Sequence, residues 1–111
     1  MDIFTAIAEP TRRNIIEMLA SNGELSATDI SGKFHSSPPA ISQHLKVLRE
    51  AKLVRMEKRS RQRIYTINPP AMKELEQWAK QKTALWDRRL DRLDKVLQAK
   101  KLKNEMKHGT Y

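Results

Sequence analysis

The chain has 111 residues, of which 39% are hydrophobic and 32% are charged. This length is typical of a single domain and is short for an enzyme that encloses a pocket. The absence of cysteine excludes disulfide bonds, thiol catalysis and thiolate metal sites. No apolar run approaches the about 20 residues that span a bilayer, and the first residues lack the pattern of a signal peptide. We therefore expect no membrane insertion and a cytoplasmic location.

The charge balance is the first indication of a partner. The chain contains 22 Lys and Arg against 13 Asp and Glu, a formal net charge of +9. A small basic domain of this kind usually binds a polyanion. Nucleic acid is the first candidate and a membrane surface is the second, and charge alone does not distinguish them.

Two short helices are predicted at the start of the chain. The first covers residues 2–8, and the second begins at Pro10, because the first turn of a helix does not need the missing N–H group. A Ser-Asn-Gly cluster at residues 21–23 ends the second helix. Its predicted buried stripe consists of Ile15, Ile16 and Leu19.

Two serines predict the starts of the next two helices. Ser26 is a suitable N-cap for a third helix, and Ser37 for a fourth helix over residues 38–51. At about 100° per residue, Ile41, Leu45 and Leu48 share one face of the fourth helix. The opposite face carries Pro39, Ser42, Gln43, Lys46 and Glu50. Such a face fits a DNA major groove or is simply solvated, and this helix alone does not decide between the two.

A β-hairpin is predicted next, because β-rich runs at residues 53–57 and 64–67 flank a polar tip. Its expected core-facing side chains are Val54, Met56, Tyr65 and Ile67. Residues 55–63 hold five cations and one anion. Such a hairpin repels itself unless it has an anionic partner, which favours contact with phosphates over a solvated loop.

The last predicted element is a long helix that begins after the Asn-Pro-Pro sequence at residues 68–70. Its apolar residues recur at spacings of three and four, over about 30 residues or roughly 45 Å. A domain of this size is too small to cover such a stripe, so the stripe requires another surface. We expect one domain over residues 1–99 and a basic, flexible tail over residues 100–111.

The order helix, turn, helix and hairpin predicts a mainly α fold with a small β-hairpin, a winged helix-turn-helix extended by a long C-terminal helix. Residues 8–13 (AEPTRR) and 40–51 (AISQHLKVLREA) resemble the opening and the recognition helix of ArsR-type transcriptional repressors. The Arg-rich hairpin resembles their wing. The last helix resembles the SdpR-like subgroup of that family.

This resemblance implies a homodimeric repressor that binds double-stranded DNA at a palindromic operator. The implied DNA contacts are Ser37, Pro39, Ala40, Ser42, Gln43, His44 and Lys46 on the recognition helix, with Arg55, Lys58, Arg59, Arg61 and Arg63 on the wing. The implied dimer interface consists of Ile3, Phe4, Ile7, Leu75, Trp78, Leu85, Trp86, Leu90, Leu93 and Leu97.

Four positions depart from the family pattern. Metal-sensing members carry cysteines in the third helix, where this chain has Ser26 and Thr28, so no cysteine metal site is expected. Lys52 stands where a glycine usually closes the recognition helix, and we expect a strained backbone with φ > 0 there. Ser60 stands where the wing often has a glycine.

Several residues allow two interpretations. Gln43 can read adenine through a bidentate pair, whereas Lys46 is better suited to a phosphate. His44 lies between the polar and apolar faces, so a structural role and a phosphate contact remain open. The tryptophans fit interface anchors better than the walls of a ligand cavity. Arg12 and Arg13 are not included among the DNA contacts, because each can simply cap a helix or be solvated.

Other classes of function receive less support from the sequence. It shows no arrangement of nucleophile and base, so we expect neither an enzyme nor a cofactor. The chain also lacks the aromatic stacking platform that is expected of a protein that binds single-stranded RNA. The main alternative is a regulator controlled by sequestration on a membrane protein or other protein partner, with DNA binding secondary.

Overall fold

The structure, a computed structural model, describes the backbone of residues 1–108 and the side chains of residues 1–104. Its elements in chain order are α1 (Ile3–Ala8), α2 (Pro10–Asn22), β1 (Glu24–Ser26), α3 (Ala27–Gly32), α4 (Pro38–Glu50), β2 (Val54–Arg59), β3 (Gln62–Ile67) and α5 (Pro69–His108). This order confirms the predicted mainly α winged helix-turn-helix with a long C-terminal helix.

Both predicted serine caps are confirmed. The Ser26 hydroxyl accepts a hydrogen bond from the Asp29 N–H at 3.0 Å, and the Ser37 hydroxyl accepts one from the Ala40 N–H at 3.4 Å. Each bond satisfies an N–H group that has no partner within its own helix. These caps fix where α3 and α4 begin, and α4 is the predicted recognition helix.

The end of α4 confirms the expected backbone strain at Lys52, whose φ is 63°. The Leu53 N–H donates to the Leu48 carbonyl and the Lys52 N–H donates to the Arg49 carbonyl, both at 3.0 Å. This pair of bonds is a Schellman motif, in which the left-handed position normally holds glycine. Lys52 therefore adopts a backbone conformation that is sterically unfavourable for any residue with a Cβ atom.

The sheet has three antiparallel strands in the order β1-β3-β2, one more than the predicted hairpin. In the β2–β3 pair, Val54 lies opposite Ile67 and Met56 lies opposite Tyr65, as expected for the core-facing side of the hairpin. The unpredicted strand β1 spans three residues, which is too short for an alternating pattern to be visible.

The core lies between the helices and one face of the sheet. Its largest fully buried side chains are Ile15, Leu19, Ile30, Ile41, Leu45, Leu48 and Leu53. These residues come from α2, α3, α4 and the loop before β2, so the core holds the helix-turn-helix and the hairpin together. The predicted apolar faces of α2 and α4 are confirmed.

Backbone contacts divide the chain into two units, Met1–Leu75 and the segment from Glu76 onward. The first unit contains α1 to α4, the sheet and the first turns of α5. The structure continues α5 through His108, and the expected flexibility of the tail from residue 100 stays a prediction. Residues 100–108 contain neither glycine nor proline, so nothing in them interrupts a helix. The remainder of that tail, residues 109–111, lies outside the described residues.

In the part of the chain that the structure describes, no helix is both long enough and apolar enough to cross a membrane.

Candidate nucleic-acid interface

The outer face of α4 is the centre of the candidate interface. Its inner residues, Ile41, Leu45 and Leu48, are buried at 2% exposure or less. Ser42 and Gln43 are exposed on the outer face. Because two turns of α4 are anchored in the core, these two polar side chains are held on a rigid element. A helix with this division of faces can enter a major groove and present its side chains to base edges.

An open groove runs between α4 and the hairpin. Its lining residues are Pro39, Ser42, Gln43, Lys46, Arg49, Arg63 and Tyr65. Three of them are cations, and no carboxylate lines the groove. The groove thus places two polar groups suited to base edges beside three groups suited to phosphates.

Arg49 was missed by the sequence analysis, although its spacing could have revealed it. It lies three residues after Lys46 and seven after Ser42, which places all three on one side of a helix. Arg49 is exposed and lines the groove. Tyr65, predicted only as a core residue, forms part of the groove wall while its side chain stays buried.

The register of the hairpin separates its predicted cations onto two faces. Lys58 lies directly opposite Arg63, and both fall on the same face as the core-facing Met56–Tyr65 pair, because side chains alternate along a strand. Two like charges in such a pair repel each other. An anion placed between them removes this repulsion. Lys58 and Arg63 are therefore well placed to bind a phosphate together.

Arg55 and Arg59 lie on the other face of the hairpin. The Arg59 guanidinium contacts the Glu24 carboxylate of β1 at 2.8 Å and the Glu57 carboxylate at 3.4 Å. The hydrogen bond and charge of Glu24, with the charge of Glu57, raise the pKa of Arg59. Arg59 thus links the hairpin to β1, and two carboxylates already neutralise it. Its predicted DNA contact stays a prediction.

The tip of the hairpin is formed by Ser60 and Arg61. Ser60 has a φ of 58°, the left-handed conformation that glycine adopts more easily. Arg61 is exposed. The tip therefore keeps the geometry expected of a wing even though serine replaces the usual glycine.

His44 contacts two residues of the same chain. The Arg12 guanidinium lies 3.3 Å from His44 Nδ1 and donates to it when the imidazole is neutral, and the Glu9 carboxylate lies 3.7 Å away. Arg12 also donates to the Ala6 carbonyl at 2.6 Å and to the Thr5 carbonyl at 3.3 Å, which caps the end of α1. The structure thus gives His44 a structural role between α1, α2 and α4, and its DNA contact stays a prediction.

Glu9 is the N-cap of α2. Its carboxylate accepts a hydrogen bond from the Arg12 N–H at 2.9 Å. Burial favours the neutral acid, but hydrogen bonds from the backbone of Arg12 and Thr11 and the charge of His44 outweigh it, and the net effect lowers the pKa of Glu9. The carboxylate is therefore ionised at neutral pH, and it keeps Arg12 and His44 beside an anion.

The remaining predicted contacts lie near the start of α4. Ser37 and Pro39 are exposed, and Ala40 is half-buried. The structure brings Pro39, Ser42, Gln43, Lys46 and Arg63 into one groove, whereas Arg55 and Arg59 lie on the opposite face of the hairpin from Lys58 and Arg63.

The predicted interface residues fall into two groups by exposure. Ile3, Ile7 and Leu75 are half-buried against the core of the first unit, while Phe4 is 45% exposed. On α5, eight large apolar side chains are 45–60% exposed: Trp78, Leu85, Trp86, Leu90, Leu93, Val96, Leu97 and Leu102. We call the seven residues from Trp78 to Leu97, which share one face of the helix, the α5 stripe, whereas Leu102 lies five residues after Leu97 and off that face. Contiguous exposed apolar surface of this kind marks an interaction site.

The fold and the face of α4 define the class of protein, a winged helix-turn-helix DNA-binding regulator. Residues 9–56 match the profile described as "Bacterial regulatory protein, arsR family". The chain is 32% identical to the transcriptional repressor SdpR of Bacillus subtilis (strain 168) over 77 residues, which is 69% of this chain and 84% of SdpR.

Solved structures agree with this class. A possible transcriptional regulator for arsenical resistance is 38% identical with a TM-score of 0.68, and the match covers 73% of this chain and 83% of that one. An ArsR-like regulator from Rhodococcus sp. RHA1 is 26% identical with a TM-score of 0.72, covering 85% and 88%. The chain belongs to the ArsR family of DNA-binding transcriptional regulators, which confirms the resemblance found in the sequence.

Proposed function

We propose that this protein represses transcription in the cytoplasm as a homodimer bound to a palindromic operator. The observation that carries this proposal is the groove of the first unit, which Ser42 and Gln43 line together with the cations Lys46, Arg49 and Arg63. The cations supply affinity for any duplex by neutralising phosphates, and the two polar side chains supply the choice of sequence. Repression then follows when the bound operator overlaps a promoter.

Sequence discrimination by Gln43 provides the test of this assignment. Duplexes selected by the wild-type protein from a random pool define its preferred site. Gln43→Ala should lose about 1–3 kcal/mol of discrimination at one or two base pairs and keep its affinity for unrelated duplexes. Gln77→Ala, a matched change on α5, should leave both quantities unchanged. A Gln43→Ala protein that weakens on every duplex equally refutes this assignment of base readout.

The α5 stripe supports the homodimeric part of the proposal. Two copies packed through their stripes bury both, and each copy then contributes one recognition helix. Recognition helices related by a two-fold axis bind half-sites about 34–36 Å apart, which accounts for the preference for a palindrome. The contribution of Ile3, Phe4 and Ile7 to the same interface is part of this proposal.

The proposed repressor does not sense metals through cysteine. The chain contains no cysteine, and the described residues contain no group of three or more His, Asp or Glu residues arranged to hold a metal ion. Micromolar Zn, Cd, Ni or Co should therefore leave the protein–operator complex intact. Specific release by one of these metals at a near-stoichiometric ratio contradicts this part of the proposal.

The alternative is a regulator controlled mainly by sequestration on a membrane protein or another protein partner, with DNA binding secondary. Where that partner covers the α5 stripe, the purified protein is a monomer, whereas the first proposal predicts a dimer. Sedimentation equilibrium therefore separates the two.

A further inference from the structure

Two cations lie within the α5 stripe rather than beside it. Lys82 is four residues after Trp78 and four before Trp86, and Arg89 is three residues after Trp86 and four before Leu93. Residues at these spacings are neighbours on one side of a helix. The Lys82 ammonium lies 5.7 Å from the centre of the Trp78 ring, in the range of a cation–π contact. A shallow depression here is lined by Lys82, Leu85, Trp86, Arg88, Arg89 and Arg92.

No acidic residue lies at helical spacing from Lys82, Arg89 or Arg92. The residues three and four positions from Lys82 and from Arg89 are aromatic, aliphatic or basic, and those around Arg92 are basic or aliphatic. Among the side chains that the structure describes, none of the three forms an ion pair with a carboxylate. By contrast, Lys80 pairs with Glu76 at 2.9 Å. The depression therefore combines unneutralised positive charge with aromatic and aliphatic surface.

A dimer formed through the α5 stripe moves these cations out of water. Burying an unpaired cation opposes association, and a symmetric dimer doubles the number of like charges at the interface. An anion bound among them removes that opposition. Because Leu85 and Trp86 line the depression beside its cations, an anion with an apolar body gains more from this environment than a fully hydrated ion does.

We propose that the dimer interface contains a binding site for a small organic carboxylate, which Lys82, Arg89 and Arg92 hold by its charge while Trp86 packs against its apolar body. This inference rests on the proposed homodimer. Since the ligand binds the dimer better than the monomer, it strengthens dimerisation and, with it, operator binding. The site is thus the input of a regulator that lacks cysteine.

The test uses benzoate, benzamide and acetate as probes of the full-length protein. Benzamide has the ring of benzoate without its charge, and acetate has the charge without the ring. The chain contains two tryptophans, and both belong to the α5 stripe, so tryptophan fluorescence reports on ligand binding and on dimerisation at the stripe. Benzoate should give a saturable change and should lower the dimer dissociation constant in sedimentation equilibrium. Benzamide and acetate should each bind at least about tenfold more weakly.

Two variants and one control connect the effect to the stripe. Arg89→Gln and Lys82→Gln should each weaken benzoate binding about tenfold, and each should dimerise more tightly than the wild type without ligand, because a buried charge is gone. Lys80→Gln, which removes a paired cation of the same helix, should retain the wild-type response. Residues with a merely structural role would not produce tighter dimers when replaced.

The outcomes separate this inference from the dimer itself. A dimer whose dissociation constant ignores benzoate, or which responds equally to benzamide, overturns the ligand site and leaves the proposed homodimer standing. An equal loss of response in Lys80→Gln and Arg89→Gln also overturns it, because the effect is then general charge. A wild-type monomer at all concentrations refutes the homodimer first.

Discussion

Two leucines show how differently the two units of this chain treat their apolar residues. Leu48 of α4 is 0% exposed, whereas Leu93 of α5 is 54% exposed. The first unit, Met1–Leu75, buries its apolar face within one chain, while the segment from Glu76 onward leaves its own apolar face in solvent. The first unit therefore has its own buried core. The exposed α5 stripe, in contrast, is the proposed dimer interface.

The largest expected effect comes from placing charge in the α5 stripe. The double change Leu90→Asp and Leu93→Asp should yield monomers, because paired carboxylates cannot be buried in an apolar interface. Operator affinity should fall about 10²–10⁴-fold, since the two half-sites no longer engage together. Sedimentation equilibrium and duplex titration measure the two effects.

A matched control adds the same charge elsewhere on α5. Gln77→Asp with Gln81→Asp also introduces two carboxylates, but at positions outside the stripe. This variant should remain dimeric. If both double variants stay dimeric, the stripe is not the interface.

A second pair of variants makes the same Leu→Ala change once in each unit. Leu48→Ala leaves a cavity in the core and should lower the free energy of unfolding by about 2–5 kcal/mol. That loss should not depend on protein concentration. Leu93→Ala should instead weaken only the dimer, so its effect should disappear on dilution to monomers. Urea unfolding at several protein concentrations distinguishes the two, and equal losses for both variants in the monomer would contradict the proposed division.

The wing offers a finer comparison within the first unit. The sequence alone predicts that all the wing arginines contact phosphates. In the structure, Arg59 pairs with Glu24 and Glu57, whereas Arg63 lines the groove beside α4. Arg63→Ala should weaken all duplexes alike and reduce the slope of log affinity against log salt by about 1. Arg59→Ala should reduce that slope less. A larger loss of slope for Arg59→Ala would show that Arg59 leaves its carboxylates to bind DNA.

The smallest expected effect concerns the end of α4. Lys52 holds a φ of 63° in a Schellman motif. Lys52→Gly should stabilise the protein by about 0.5–1 kcal/mol, because glycine adopts this conformation without a steric cost. Lys73→Gly, the same change at an exposed helical position of α5, should destabilise it by about the same amount. Thermal unfolding of the two variants checks the opposite signs.

Local chemistry explains which parts of the fold the sequence predicted. The caps Ser26 and Ser37 and the strained Lys52 depend on residues a few positions apart, so their patterns are visible in the chain. The strand β1 depends on pairing with β3, about 40 residues away, as Glu24 lies opposite Thr66. No local pattern reveals such a pairing in a three-residue strand.

In the candidate site, too, the features that depend on local spacing were predictable from the sequence. The face of α4 follows from helical spacing, and the same spacing would have found Arg49. The partners of His44 and Arg59 depend on tertiary contacts instead. Arg12 reaches His44 from another helix, and Glu24 reaches Arg59 from another strand. The sequence therefore identified the cations of the wing but not which of them are already paired.

If the α5 stripe joins two copies of this chain, the mass of the purified protein in solution reveals the dimer. Sedimentation equilibrium over a concentration range extending to tens of micromolar should give twice the chain mass of 12.9 kDa. Dissociation to monomers should be seen only at the dilute end. A single species of 12.9 kDa across the whole range would refute the homodimer and show that the stripe serves a different partner.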